Sequence, residues 1–225
     1  AIFNDVGSMP STMAAARVAI AMRTLHKDWE LLQSDCERAY IQAEITGPPT
    51  FVRMPKAWWP EGWEKYKDPV VPLRLALYGH PCAGDCWQAH IESFLFKLGF
   101  ESITEWPSVY IHGTGDDALI FVLYVDDLIM TGGKGLRPMI DRLRKDILME
   151  EPHPMSKYLG CHHSIIDDPT GTTINFDMSD YCRHAVGKYT AITGRTLKPA
   201  STPYAPELPD NELEASLAAP GELQE

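Results

Sequence analysis

The sequence predicts an α+β fold: an antiparallel sheet of the ferredoxin-like, split βαβ kind, with helices on one face. Three observations predict it. Residues 121–130 are two apolar runs rich in β-branched and aromatic side chains, joined by Asp126-Asp127, which reads as a hairpin with charge at its tip. Apolar residues at helical spacing over 83–98 and again over 135–149 flank that hairpin. A further apolar strand pattern at 29–34 precedes them and another at 157–166 follows, giving the order strand, helix, strand, strand, helix, strand.

Taken in order, residues 1–10 are irregular, and Ser11 or Thr12 caps a helix running to about His26. Trp29–Ser34 is a strand that delivers Asp35, and Ala39-Tyr40 continue into a turn or short helix. Gly47-Pro48-Pro49 breaks the chain, Phe51–Met54 is a short strand, and 55–69 is a loop anchored by Trp58, Trp59 and Trp63. Val70–Leu77 is a strand that Pro72 demotes towards an edge, so 41–77 form an excursion from the main sheet. A turn at Tyr78-Gly79-His80-Pro81 leads into the helix near 83–98, with Trp87, Ile91, Phe94, Leu95 and Leu98 on one face and Gly99 at its end. Val109–His112 is a small strand before the hairpin of 118–131. The helix of 135–149 carries Leu136, Ile140, Leu143 and Ile147 on its buried stripe. A strand at 157–166 and its return at 172–176 form a hairpin, and Ser179 caps a last helix to about Thr193. Residues 194–225, with Pro199, Pro203, Pro206 and Pro209, read as an extended or disordered acidic linker.

In a split βαβ sheet the first and third strands are antiparallel neighbours, so the end of one abuts the start of the other. Asp35 ends the first strand and Asp127 starts the third, one residue after Asp126. Three carboxylates about 90 residues apart in sequence thus converge at one end of the sheet. Successive strand residues face opposite ways, which makes Asp35 and Asp126 the leading pair and Asp127 the supporting one. Adjacent carboxylates repel by roughly 4 kcal/mol at an effective dielectric of about 20, and a divalent cation turns that repulsion into attraction. Oxygen-only donors suit Mg²⁺ or Mn²⁺, and two such ions about 3.5–4 Å apart clamp the attacking and leaving oxygens of a phosphoryl transfer. A bare Asp-Asp pair is equally what a polar hairpin tip contains.

The net charge of −11 weighs against a nucleic-acid partner, but six of the acids lie in residues 204–225, which hold no Lys or Arg, leaving −5 on residues 1–203. Five cysteines at irregular spacing fit a reduced, intracellular protein better than a disulfide framework. No apolar run approaches the roughly 20 residues of a membrane span, so no membrane partner is expected, and no signal peptide is evident.

The motifs resemble those of reverse transcriptases of the copia type. Residues 124–127 read YVDD, similar to the family's signature turn, and 35–40 read DCERAY, similar to its first catalytic motif. LRLALYGHPCAGDCW at 73–87 resembles its Leu-Tyr-Gly turn and Trp-bearing helix, and YLGC at 158–161 its primer-grip hairpin. Lys198–Pro203 is similar to the segment leading towards an RNase H region, so the likeness runs nearly the whole chain in order.

The resemblance implies a reverse-transcriptase palm over 1–193, with a partial fingers insertion at about 41–77 and the primer-grip hairpin at about 157–177. It implies RNA-directed DNA polymerase activity with two Mg²⁺ or Mn²⁺ ions on Asp35, Asp126 and Asp127. Tyr40, beside Ala39, would stack under the incoming sugar and exclude a 2′-hydroxyl. Tyr124 and Val125 would lie by the primer terminus, Gly79 would let the backbone approach nucleotide or template, and Leu159 and Gly160 would hold the primer end. Implied partners are an RNA or DNA template with primer, dNTPs, and the integrase and RNase H regions of one polyprotein, in a cytoplasmic particle or the nucleus. The family's Lys/Arg-rich fingers strand would lie ahead of residues 1–10, so the chain is expected to be part of a larger polyprotein. His80-Pro81-Cys82 depart from the family's Leu-Lys-Gln and remove its basic and amide side chains there.

Other signals are weaker. Cys82, Cys86 and the Cys161-His162-His163 run read as buried thiols and strand residues rather than zinc hooks. Arg137, Arg142, Arg144 and Lys145 make a basic helical patch that either touches phosphates or is a solvated face. Two other functions fit the same core: an inactive remnant that binds nucleic acid or protein, and a metal-dependent nucleotide cyclase or phosphohydrolase.

Overall fold

Thr12 caps the first helix, α1 (Met13–Leu25), its side chain accepting from the Ala15 N–H at 3.1 Å. In this computed structural model residues 8–197 are described, and the chain forms two units, Ala1–Met178 and Ser179–Glu225. After α1 come β1 (Glu30–Asp35) and one helical turn, α2 (Ala39–Gln42). The excursion is a ribbon of β2 (Phe51–Arg53) and β3 (Val70–Pro72), paired antiparallel. Backbone bonds from Ile45 to Arg74 and from Ala76 to Ala43, each 2.9 Å, close its base, so the chain returns beside the point where it left. Then follow α3 (Ala83–Lys97), β4 (Glu101–Ile103), β5 (Trp106–His112), β6 (Leu119–Tyr124), β7 (Asp127–Gly132), α4 (Leu136–Leu143) and β8 (His153–Pro154). The first unit ends with β9 (Lys157–Tyr158), β10 (Cys161–Asp168) and β11 (Gly171–Asp177), and the second holds α5 (Ser179–Thr193). Residues 1–7 and nearly all of the expected 194–225 linker lie outside the described residues.

The main sheet has six strands in the order β4-β5-β6-β7-β1-β8, and every pairing in it is antiparallel. Its strands alternate between two cores, as period-2 side chains must. Leu32, Tyr110, Phe121, Leu123, Leu128 and Met130 pack with Trp87, Ile91 and Leu95 of α3 and with the buried face of α4. Leu31, Val109, Val122 and Ile129 face the other way, onto Ala15, Ala16, Ala19 and Ile20 of α1 and onto Met155 and Tyr158. Each fully buried large side chain, such as Phe121 or Ile129, contributes about 1.5–3 kcal/mol. Arg23 of α1 reaches the small sheet, bonding Asp167 at 2.6 Å and Thr172 at 3.1 Å.

Several expectations are corrected. Helices lie on both faces of the sheet, because α1 covers the face opposite α3 and α4. The place beside β1 expected for residues 157–166 is taken by His153-Pro154. Residues 157–166 instead enter a separate sheet, β11-β10-β9, and are interrupted at Leu159-Gly160, where positive φ values of 45° and 82° turn the chain back. The expected 135–149 helix stops at Leu143, although Ile147 and Met149 still enter the core. The strand expected over 70–77 keeps only Val70–Pro72 and an isolated bridge at Leu75, while β4 and β8 carry too few residues to show a pattern. Among the described residues, no helix is long and apolar enough to cross a membrane.

Candidate active site

The site is built where β1 ends and β7 begins. Their register sets Asp35 directly across from Asp127, with Ser34 opposite Leu128 before it. Cross-strand partners share a face of the sheet, so both carboxylates stand on the α1 side. Tyr124 pairs with Asp127 across the hairpin, which leaves Val125-Asp126 as a two-residue turn. Val125 takes a φ of 59°, in the left-handed region that β-branched residues avoid. The turn is held from two sides: the Trp87 indole donates to the Val125 carbonyl at 2.6 Å, and the Cys36 N–H donates to the Asp126 carbonyl at 2.8 Å. Asp127, rather than Asp126, is thus the register partner of Asp35, and Asp126 stands in the adjoining turn.

Electrostatics draw the three acids into one group. Burial lifts the Asp35 carboxyl above its ordinary range, and the charges of Asp126, Asp127, Glu150 and Glu37 lift it further. Burial and then Asp126 likewise lift Asp127, and the nearby Gln33 amide opposes the shift. The neighbouring Cys36 thiol is pushed up to about 12 by burial and by the same three aspartates. Among the described residues, the charges that shift Asp35 are all negative. Among the described residues, no three His, Cys, Asp or Glu side chains form a ready-made ligand cluster. The donor chemistry nevertheless fits a hard cation that keeps waters and completes its shell with substrate oxygens.

The other anticipated residues surround this group. Arg38, at a left-handed φ of 53°, turns the chain into α2, burying Ala39 and presenting Tyr40 half-buried. Burial and then the Asp126 charge raise the Tyr40 phenol. The Tyr40 ring packs on Tyr78 at 4.6 Å between centroids, so the ribbon's return delivers Tyr78-Gly79 to the same place. Gly79 has φ 88°, and a Cβ there would meet nothing within 4 Å. The glycine is therefore required by the turn itself and leaves open space above it. A cavity of about 20 Å³ lies between Tyr40, Gly84, Trp87, Leu123 and Val125. Leu159 and Gly160 form the two-residue tip closed by the Tyr158–Cys161 pair. His80, one of the departures noted above, is built into its own turn through Thr50 at 3.1 Å and the Cys82 N–H at 3.2 Å.

Gln33 is a residue the motif reading missed. It is buried in β1 two positions before Asp35, and its amide donates to the Lys157 carbonyl at 2.8 Å. The signal was present: a neutral amide within an apolar strand, on the same face as the carboxylate that the strand delivers. The basic patch resolves largely into ion pairs, with Arg137 on Glu30 and Arg144 on Glu151 at 2.6 Å.

Comparison with known proteins adds three findings. Residues 2–204 match the family described as reverse transcriptase (RNA-dependent DNA polymerase). The chain is 25% identical over 159 residues to the putative transposon Ty5-1 protein of Saccharomyces cerevisiae, which covers 68% of the chain and 48% of that relative. The chain thus spans about half the length of the curated relative it matches. No solved structure matches it.

Proposed function

The chain belongs to the reverse transcriptase (RNA-dependent DNA polymerase) family, and from that we propose that it is the RNA-directed DNA polymerase core of a copia-type retrotransposon polyprotein. The observation that carries the reading is the group of Asp35, Asp126 and Asp127, which gathers negative charge at one end of the sheet, where Glu150 and Glu37 add to the charge acting on Asp35. A fold does not leave such repulsion in place for stability's sake. In this reading the six-stranded sheet is the palm, the β2–β3 ribbon part of the fingers, and the β9–β10 turn the primer grip.

Asp35, Asp126 and Asp127 would hold two Mg²⁺ or Mn²⁺ ions. Bound there, the ions supply activation of a primer 3′-hydroxyl and neutralisation of the leaving pyrophosphate. Tyr40, backed by Tyr78, would form a wall against the sugar of the incoming nucleotide and select dNTPs. Val125 and Tyr124 would underlie the primer terminus, and Leu159-Gly160 would hold it from the other side. Open space over Gly79 would admit nucleotide or template backbone. Primer–template, dNTPs and the integrase and RNase H regions of the polyprotein are the partners this reading requires.

Primer extension on an RNA template with Mg²⁺ or Mn²⁺ tests the proposal. The native chain incorporates dNTPs, and Asp126→Asn abolishes incorporation. Salt-dependent duplex binding without synthesis would instead mark a binding remnant, and pyrophosphate release without primer a cyclase or phosphohydrolase.

A further inference from the structure

Gln33 occupies an interior position of β1 with only 9% of its surface exposed. Its side chain shares a face with Asp35 and Asp127, because Asp35 lies two residues on and Asp127 stands opposite Asp35. The amide nitrogen carries two hydrogens. One is donated to the Lys157 carbonyl at 2.8 Å. Asp127, two residues before Gln33's register partner Ile129, stands diagonal to Gln33 on that face. The Gln33 oxygen, Oε1, is buried without a partner. A leucine at this place would carry no orphaned acceptor but would leave the Lys157 carbonyl unpaired, two opposed effects of similar size.

Lys157 is the root of the β9–β10 hairpin, two residues before the Leu159-Gly160 tip. That hairpin is not part of the six-stranded sheet. It meets β1 through the Met155 N–H on the Leu31 carbonyl at 3.2 Å and through the Gln33 side chain. Only the second of these links is made by a side chain, and it lies on the face that carries Asp35 and Asp127.

We propose that Gln33 is a positioning residue: it ties the hairpin root to β1, the strand that delivers Asp35, and so fixes the spacing between the tip that grips the primer and the carboxylates that hold metal. The inference rests on the polymerase reading for its meaning, though not for its geometry. Without the bridge both endpoints remain, but their separation is no longer set by a side chain.

The test uses the full chain and Gln33→Leu, with Gln33→Met, unbranched and of equal length, as the second variant should leucine crowd Lys157. Primer-extension kcat falls about 10- to 100-fold, the scale of a misplacement near 1 Å. The KM for dNTP and the primer–template affinity stay within about twofold, and the melting temperature changes little, since the lost bond and the removed orphan acceptor oppose each other. Exchange of the amides at 159–161 quickens several-fold in the variants. An unchanged kcat, or a loss of kcat that follows a loss of melting temperature, overturns the proposal. If the native chain extends no primer, the polymerase reading falls. Amide exchange then decides the bridge by itself: unaltered exchange at 159–161 overturns it.

Discussion

The Trp87 indole N–H donates to the Val125 carbonyl at 2.6 Å, joining the second turn of α3 to the tip of the β6–β7 hairpin. That tip holds a β-branched residue at φ 59°, a conformation that costs about 1–2 kcal/mol. The Cys36 N–H holds the neighbouring Asp126 carbonyl, so both turn carbonyls are engaged from elements outside the hairpin. An aspartate in an unsupported turn would sweep a range of positions; Asp126 does not have that freedom. Such over-determination is how a strained backbone persists at a site.

Trp87→Phe keeps a large ring in the core but strips the donor, leaving the Val125 carbonyl unpaired. Chemical denaturation shows a loss of about 1–3 kcal/mol. Primer extension falls further than that loss explains, because the variant still folds at assay temperature while its turn relaxes.

Asp35 and Asp127 both have carboxyls lifted above the ordinary 3.8, chiefly by burial and then by neighbouring charge. Between 3.8 and each lifted value the folded chain binds protons that the unfolded chain has released. Stability therefore falls as pH rises through that interval, and above it the two charges oppose folding. Asp127→Asn, a mimic of the protonated side chain, melts higher than the native chain near neutral pH in chelator. The difference closes as pH falls towards 3.8, and Mg²⁺ stabilises the native chain more than the variant. Thermal melts across pH check each statement.

Gly79→Ala meets no neighbour, since nothing lies within 4 Å of the added Cβ, but the backbone stands at φ 88°. The cost is conformational alone, about 1–2 kcal/mol, read from denaturant midpoints. If the turn flips to relieve it, the Tyr78 ring leaves Tyr40, and discrimination against ribonucleotides weakens in competition assays.

Arg23 is nearly buried on α1, whereas its partner Asp167 is about half exposed, with side-chain exposures of 10% and 45%. Losing Asp167 leaves a desolvated guanidinium with only Thr172, while losing Arg23 leaves a carboxylate in reach of water. Asp167→Ala thus lowers the melting temperature more than Arg23→Met does.

How far the fold was legible follows from what each feature depends on. The hairpin, α1, α3 and the β1–β7 pairing were readable because periodicity and capping are local, and because antiparallel adjacency of Asp35 and Asp127 follows from the element order. The second helical layer was not. Ala15, Ala16 and Ala19 of α1 match either face of a sheet, and only tertiary packing assigns one. Nor was the break at Leu159-Gly160 visible, since Leu is an unusual choice for positive φ and the flanking residues continue a strand pattern. At the site, the acids are legible by type and spacing, whereas Tyr40 is singled out only by the resemblance of residues 35–40 to a known motif. The Trp87–Val125 and Gln33–Lys157 bonds span 38 and 124 residues, and no local rule foresees them.

The main sheet ends, beside β1, on two residues of which one is Pro154. A proline has no N–H to offer, so an additional strand arriving on that side would find the ladder already short of a donor. Self-association by lateral stacking is disfavoured along this border. The protection sits next to the strand that delivers Asp35, so a second copy is discouraged from pairing along the border nearest the acidic group.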